Sequence, residues 1–513
     1  MSESAETTAH HLLQKHNSQL PSLARLLNDD SRNQLLTTQQ PRLLLDASRL
    51  PLDATAWQHL LTLSQERQLT TAIAALYRGE AVNRSENRPA LHMALRAADP
   101  AAFLPAAQAA EVITTRSRML DWVNAFSGGR LPGAGNTPLR DIIHLGIGGS
   151  DLGSRLLADA LPTTDCQPRL HFISAPDPSV WQQVSQQADP ASSAVIVTTK
   201  SFRTVETLTL ARAAREWLGA GAAQRMFAVT SASKLAIETL GITESQILPM
   251  WDWVGGRFSL WSAAGIMGAI AIGANAFTQL LQGAAEQDQL FHQQNPADNL
   301  SVRMALYDYW LHSIQNYPVR GIYVYDQRLR LAPAWLSQLE MESLGKRVDQ
   351  NNQPLDHSAA PILVGGSGPD AQHATFQALH QGTRPWPVEL VGVRARDGHQ
   401  TELHRLQWAS MLAQAQALTH GSSSGSDPMR TLPGGRPVMC WQLEPLTPAT
   451  LGAWLAAYEH KVYALATLWN INPFDQWGVE EGKRLADKLL DSDPSANQDL
   501  DPVTQRFLQR LNW

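Results

Sequence analysis

Between residues 141 and 230, short apolar runs alternate with longer amphipathic ones. The apolar runs are DIIHLGIG, RLHFIS, AVIVTT and RMFAVT, and the segment TVETLTLARAAREWL has helical spacing. Continuous apolar runs are typical of strands buried on both faces, and their alternation with helices predicts a parallel sheet covered by helices. Few topologies satisfy this order, because each crossover between parallel strands is right-handed and needs room for a helix.

A second unit of the same kind is predicted further along the chain. GIYVYD, PILVGG and PVELVG resemble strands, and HATFQALHQ and LHRLQWASMLAQAQALT have helical spacing. The first hundred residues have Leu and Ala at helical spacing, so we interpret them as helices. The predicted class is therefore α/β, with two α/β/α domains whose central sheets are of the parallel type.

Composition and charge narrow the possible partners. The chain has 513 residues, a net charge of −6 and no long basic run. Nucleic acid and anionic membranes attract strongly basic surfaces, so neither is expected as a partner. Cys166 and Cys440 are too few for a disulfide framework, which indicates a reducing compartment. No apolar segment follows basic residues at the start, so we expect a cytoplasmic protein without a signal peptide.

Residues 258–285 contain no charged side chain and are long enough for a membrane span. The stretch is rich in Ala and Gly, with several polar residues and only scattered large apolar ones. This composition favours a buried helix in a large core.

Two loops have the composition of a phosphate site. In HLGIGGSDLGS, Gly149 and Ser150 lie where a strand turns into a helix, and in TTKSFRTVET the hydroxyls of Thr199, Ser201 and Thr204 accompany Lys200. Helix N-termini and hydroxyls bind anions. A tight structural turn and an N-cap at Thr204 are the alternatives. A dinucleotide is disfavoured, because Asp151 takes the place of the third glycine of the fingerprint.

Other segments carry ionisable side chains whose roles the pattern alone leaves open. Arg257 follows two glycines and precedes the charge-free stretch, so it either binds substrate or forms a buried ion pair. His373 and His380 are two helical turns apart, as are Gln476 and Lys483. In SQLEMESLGKRV, the side chains of Glu340 and Glu342 point about 200° apart on a helix, so only one of them can face a pocket.

Together these segments resemble the glucose-6-phosphate isomerase family. The resemblance rests on DWVGGRFSLWSAAG and LWNINPFDQWGVEEGK, and on HLGIGGSDLG, TKSFRTVET, MESLGK, QHATFQALHQGT and NRSENRPALHMALR. It spans roughly residues 80 to 490. It implies a dimeric aldose–ketose isomerase that acts on a phosphorylated hexose in glycolysis and gluconeogenesis, with no metal or other cofactor.

The resemblance also implies roles for individual residues. Glu342 is the catalytic base, Arg257 stabilises the enediolate, and His373, contributed across the dimer interface, opens the sugar ring with Lys483. Glu340 is then expected to be solvated. The substrate and its phosphate are assigned to Gly149, Ser150, Thr199, Lys200, Ser201, Thr204, Gln338 and Gln476.

The resemblance further implies sugar-isomerase-type domains and a division of the chain. Residues 1–104 are the helical N-terminal part of the large domain, 105–272 the smaller domain with the phosphate loops, 273–485 the larger domain, and 486–513 a helical tail.

The chain departs from the family pattern at two positions of interest. Leu344 stands where the family usually has Asn, and Arg203 where it usually has Thr. Three rival functions are a related isomerase that also accepts mannose 6-phosphate, a non-catalytic sugar-phosphate-binding regulator, and a nicotinamide-dependent oxidoreductase. The joint presence of Glu342, Arg257, His373 and Lys483 argues against the regulator.

Overall fold

The computed structural model describes residues 8–129, 131, 133–161, 168–355, 357–395, 401–422, 427–490 and 500–511. Cys166 lies outside these ranges. The chain forms two compact units, Met1–Pro473 and Phe474–Trp513.

Within the described residues, the first unit contains a five-stranded and a six-stranded sheet. The strands are β1 Thr37–Gln39, β2 Leu43–Arg49, β3 Asp141–Leu145, β4 Arg169–Ile173, β5 Ser193–Thr198, β6 Met226–Thr230, β7 Ile247–Pro249, β8 Val319–Val324, β9 Ile362–Ser367, β10 Val388–Val393 and β11 Val438–Leu443.

The helices that cover these sheets are α1 Thr8–Asn17, α2 Leu23–Leu26, α3 Asp30–Leu35, α4 Ala54–Glu66, α5 Leu69–Tyr77, α6 Ala106–Ser127, α7 Leu152–Ala160, α8 Pro178–Gln187, α9 Val205–Leu218, α10 Ser233–Leu240, α11 Ile266–Ile272, α12 Ala274–Gln293, α13 Leu300–Tyr309, α14 Ala332–Ser337, α15 Gly368–Gln372, α16 Phe376–Gln381, α17 Glu402–His420 and α18 Pro448–Leu468. The second unit contains α19 Glu480–Leu490 and α20 Pro502–Leu511.

The five-stranded sheet is parallel throughout, in the order β4-β3-β5-β6-β7. The chain passes from β3 to β4 on one side and then crosses to β5 on the other. This reversal is a topological switch point, and in open α/β sheets ligands bind in the crevice outside the carboxyl ends of the strands at such a point. The α/β class and the parallel sheets predicted from the sequence are confirmed.

The six-stranded sheet has the order β1-β2-β11-β10-β8-β9, and its strands β8 to β11 are parallel. β1 and β2 add an antiparallel edge. The interpretation of the first hundred residues as helices alone was therefore wrong for residues 37–49. The run LLLDASR is short and Leu-rich, so its pattern cannot distinguish a strand from a helix, and pairing with β11 decides its conformation.

The charge-free stretch is divided between two helices; its α11 part is buried, as predicted, whereas its α12 part exposes Asn275, Thr278 and Gln282. All seven residues of α11 are buried. Gly273, with φ of +85°, ends α11 and precedes α12, because a glycine adopts this left-handed conformation at little cost. Within the described part of the chain, no helix is both long and apolar enough to cross a membrane.

Helix α18 runs through the core of the first unit and packs against α12 and α13. Pro448 occupies its first turn, and the Thr447 hydroxyl caps it by accepting a hydrogen bond from the Thr450 N–H. The consecutive residues Glu459, His460 and Lys461 are all at most 1% exposed. Buried charges require partners, and these partners connect α18 to the surrounding elements.

Candidate active site

The first predicted phosphate loop follows β3 at the switch point. Gly148–Ser150 form a 3₁₀ turn, and Gly148 has a φ of +60°. A Cβ at Gly149 would lie 2.2 Å from the Gly256 carbonyl oxygen, so only glycine permits this approach of two backbones. The turn is therefore packed directly against the segment that carries Arg257.

The second predicted phosphate loop follows β5, the parallel neighbour of β3. Thr199 is buried, and its Oγ1 lies 3.2 Å from Oγ1 of Thr204, while Ser201 is exposed. Thr204 precedes α9 but makes no side-chain capping hydrogen bond. The N-cap alternative thus does not account for its hydroxyl, which leaves two adjacent hydroxyls at the start of a helix.

Lys200 connects this loop to the segment before Arg257. Its Nζ lies 3.1 Å from the Val254 carbonyl oxygen and 3.5 Å from Asp252 Oδ1. Burial lowers the pKa of the Lys200 ammonium, and Asp252 partly offsets this effect. The charge is thus held beside the loop rather than extended into solvent.

Arg257 is buried, and its guanidinium is held from several directions. Nε donates to Ser343 Oγ at 2.6 Å, and Nη2 donates to the Pro473 carbonyl oxygen. Nη1 lies 3.4 Å from Glu342 Oε1. The sequence left open whether Arg257 forms a buried ion pair or serves the site, and the structure combines the two because its ion-pair partner is the predicted base.

Within the Arg257–Glu342 pair, solvent reaches the carboxylate but hardly reaches the guanidinium. The Arg257 side chain is 2% exposed and the Glu342 side chain 23%. A fixed cation next to an accessible carboxylate can stabilise negative charge that develops on a bound molecule, while the carboxylate remains able to exchange a proton.

Gln338 and Glu342 begin and end a single π-helical turn that continues α14. Such turns are rare and occur frequently at functional sites. A Cβ added to Gly148 would lie 2.9 Å from Gln338 Nε2, so the Gln338 amide covers the first phosphate loop. The turn thus places one end against Gly148 and the other against Arg257.

Glu340, in the middle of this turn, was expected to be solvated, and that prediction was wrong. It is 2% exposed and is bonded to Arg320 and Lys461. The signal was present in the sequence, because Arg320 and Lys461 interrupt strongly apolar segments. A cation that is buried in such a segment needs a partner of opposite charge.

Three further predicted site residues lie outside the two loops and the π-helical turn. His373 is exposed and directly follows α15, the short helix after β9. Gln476 and Lys483 belong to the second unit. There Lys483 Nζ pairs with Glu480 Oε1 at 2.9 Å on α19. The placement of these three residues at the site remains a prediction.

Sequence reasoning missed Ser343 and the Pro473 carbonyl, which both hold Arg257. Neither leaves a signal in a single sequence, since an ordinary serine and a backbone oxygen become specific only through the fold. Leu344, the departure from the family pattern, is fully buried, and Arg203 is exposed. Among the described residues, no group of three or more His, Cys, Asp or Glu is arranged to hold a metal ion.

Comparison with known proteins identifies the family. Residues 46–508 match the family model described as phosphoglucose isomerase. The glucose-6-phosphate isomerase of Stenotrophomonas maltophilia (strain R551-3) is 44% identical over 472 residues, which cover 92% of this chain and 91% of that protein. The protein of the same name from Xanthomonas oryzae pv. oryzae (strain PXO99A) is 41% identical over 474 residues, or 91% of each chain. The crystal structure of a glucose-6-phosphate isomerase from Chlamydia trachomatis superposes with a TM-score of 0.86 at 26% identity, over 99% of both chains. This chain therefore belongs to the phosphoglucose isomerase family.

Proposed function

We propose that this protein interconverts glucose 6-phosphate and fructose 6-phosphate. The observation that carries the proposal is the Arg257–Glu342 pair at the switch-point crevice, with Nη1 and Oε1 3.4 Å apart. Aldose–ketose isomerisation through an enediolate needs a base that moves a proton between neighbouring carbons and a group that stabilises the negative intermediate, and a carboxylate beside a cation supplies both. Membership of the family supports the same assignment.

The phosphate group serves as the handle of the substrate. We assign it to Ser150 and to the second loop with Thr199, Lys200, Ser201 and Thr204, because the two loops follow adjacent parallel strands. Gly149 belongs to the first loop, and Gln338 and Gln476 complete the substrate site. Binding energy at this remote group orients the reacting carbons and thereby lowers the barrier of the chemical step.

The chemical step is a proton transfer through a cis-enediolate. Glu342 takes the proton from C2 of the open-chain aldose, the electron pair moves to the carbonyl oxygen on C1, and Arg257 stabilises the resulting negative charge. A proton passes from the C2 hydroxyl to the C1 oxygen, the protonated carboxyl returns its own proton to C1, and the C2 oxygen becomes the ketone. The carboxylate is restored at the end of the cycle.

Ring opening precedes this step. We assign it to His373 and Lys483 as an acid–base pair, with His373 contributed by the second subunit of a homodimer. The exposure of His373 at the end of α15 fits a role at a subunit interface. We further propose that the enzyme acts in the cytoplasm, in glycolysis and gluconeogenesis, without metal or other cofactor.

Reaction of fructose 6-phosphate in heavy water tests the reaction directly. Deuterium at C2 of the glucose 6-phosphate formed is the expected result, because the base exchanges its proton with solvent before returning it. Absence of any glucose 6-phosphate would refute the proposal. A parallel assay with mannose 6-phosphate determines whether the related isomerase with broader specificity describes the protein better.

The Glu342→Gln variant tests the base. We expect kcat to fall by three orders of magnitude or more, that is by roughly 4 kcal/mol in activation free energy, with little change in substrate binding. Glu286→Gln is the matched control, since Glu286 pairs with Arg42 and is 41% exposed. Near-normal turnover of Glu342→Gln would exclude Glu342 as the base.

A further inference from the structure

The buried side of the π-helical turn rests on a cluster of charged residues. The Arg320 cluster consists of Asp308, Arg320, Glu340, Glu389 and Lys461, each at most 2% exposed. Only Glu340 belongs to the turn. Asp308 is on α13, Arg320 on β8, Glu389 on β10 and Lys461 on α18.

The cluster binds the turn through Glu340. Both of its carboxylate oxygens lie 3.1 Å from Lys461 Nζ, and Oε2 also accepts a hydrogen bond from Arg320 Nη2. A carboxylate bound by two cations on different elements has one favourable position, because displacement along either direction lengthens a charge-assisted bond.

Arg320 and Lys461 are themselves held in place by two further buried carboxylates. Lys461 Nζ lies 2.5 Å from Asp308 Oδ2, and Arg320 Nη1 pairs with Glu389 Oε1. The other oxygen of Glu389 accepts from Trp441 Nε1 at 2.8 Å and from the Tyr458 hydroxyl. Glu340 is thus tied, through Arg320 and Lys461, to two strands of the sheet and two core helices.

We infer that Glu340 is a positioning residue for the proposed reaction: by binding Arg320 and Lys461 it holds the 338–342 turn in the one orientation that points Gln338 and Glu342 into the crevice. This inference rests on the proposed function. The geometry supports it because Glu340 lies between the two site residues on a single turn, so any rotation of its own position moves both.

The test compares two carboxylates that share Arg320. Glu340→Gln removes the charge from the turn, whereas Glu389→Gln removes a charge from β10, away from the turn. Both variants lose a buried ionic contact of Arg320, so a merely structural role predicts the same behaviour for both. Glu340→Asp is added because it keeps the charge but shortens the side chain by one methylene, which draws the turn toward Lys461 even if Glu340→Gln fails to fold.

The readouts are kcat, KM and the deuterium isotope effect on kcat with glucose 6-phosphate labelled at C2. Misplacement of the base should lower kcat about tenfold to a hundredfold in the Glu340 variants, with KM nearly unchanged, and should raise the isotope effect because proton transfer becomes slower. Glu389→Gln keeps an acceptor for Arg320 and leaves both cations bound to Glu340, so it should keep kcat within about twofold of the original.

Equal kcat and equal isotope effects in Glu340→Asp, Glu340→Gln and Glu389→Gln would overturn the inference, and so would a loss expressed only in KM. If the unmodified protein is active and Glu342→Gln is not, such a result leaves the proposed function intact. Absence of isomerisation by the unmodified protein would refute the proposed function and this inference together.

Discussion

Two clusters of buried charge meet helix α18 at consecutive residues, and they serve different purposes. Lys461 belongs to the Arg320 cluster, which grips the π-helical turn of the candidate site. Glu459 and His460 belong to a second cluster, completed by Arg96, Trp261 and Asp288, which we call the Arg96 cluster. The chemistry of the two is similar, but only the first contains a residue from the turn that carries the proposed base.

The Arg96 cluster connects Arg96, in the N-terminal third of the chain, to Asp288 on α12 and to Glu459 and His460 on α18. Arg96 donates to both oxygens of Asp288, at 2.8 and 2.6 Å, and to Glu459 Oε2. Trp261 Nε1 donates to Glu459 Oε1 at 2.8 Å, and His460 Nε2 lies 2.7 Å from Asp288 Oδ1. Its geometry therefore stabilises packing between elements that are distant in sequence.

Charge is distributed differently within this second cluster. Burial by itself raises the pKa of the Asp288 carboxyl. The Arg96 guanidinium and the hydrogen bond with His460 lower it by more than burial raises it, so the pKa is about 2. Burial raises the pKa of Glu459 to about 7, against the opposing effects of Arg96 and Trp261. One arginine thus neutralises its bidentate partner fully and its second partner incompletely. Equal burial therefore does not imply equal ionisation.

Replacement of Arg96 by methionine should have the largest effect on stability. It leaves Asp288 and Glu459 buried without their cation, so we expect the free energy of unfolding to fall by about 3–5 kcal/mol. The kcat of the folded enzyme should stay within about twofold of the original. Chemical denaturation and steady-state kinetics measure the two quantities.

The matched control is Arg42→Met, which breaks the exposed pair with Glu286 and should cost less than about 1 kcal/mol. A fall in kcat in Arg96→Met as large as that expected of the Glu340 variants would contradict the separation of the two clusters.

Much of the fold follows from the sequence because its signals are local. The apolar runs that became β3, β5 and β6 are continuous, and the spacing of α9 is regular, so pattern alone places them. β2 and β11 lack such a signal, since their pairing joins residues about four hundred positions apart in the chain, as with Leu43 and Leu443, and β1 in turn pairs with β2.

The residues of the candidate site also differ in how well the sequence predicts them. Arg257 and Glu342 were predicted from the family resemblance, and the structure brings them together. Glu340 was misjudged because helix geometry says only that it points away from Glu342, not whether that side faces solvent or Lys461. The partner of a buried charge depends on tertiary packing, which a helical pattern does not encode.

The Glu459→Gln variant should sharpen the difference in ionisation between Glu459 and Asp288 within the Arg96 cluster. Glu459 has an ordinary pKa of 4.5 when unfolded and about 7 when folded. Its full contribution to stability is therefore present below about pH 4.5 and is lost as pH rises toward 7, because the unfolded state releases the proton first. At roughly 1.4 kcal/mol per unit of pKa, the loss amounts to about 3.5 kcal/mol.

Denaturation of both proteins at several pH values between 4.5 and 8 measures this effect. The stability of the unmodified protein minus that of Glu459→Gln should decrease across the interval and become constant above pH 7. His460 and Asp288 are present in both proteins, so their own titration largely cancels in the difference. A difference independent of pH would show that Glu459 is not the proton-binding member of the cluster.

The smallest effect is expected of Tyr458→Phe, at the base of the Arg320 cluster. The change removes the hydroxyl that donates to Glu389 Oε2 but keeps the ring, whose centroid lies 5.5 Å from Lys461 Nζ. Loss of one hydrogen bond to a charged group should cost about 1.5–3 kcal/mol of unfolding free energy. Glu389 keeps its contacts with Arg320 and Trp441 in this variant, so Arg320 should still bind Glu340. The kcat and its isotope effect should therefore match those of the unmodified enzyme. An isotope effect that rises in Tyr458→Phe would mean that the whole Arg320 cluster, and not Glu340 alone, sets the position of the base.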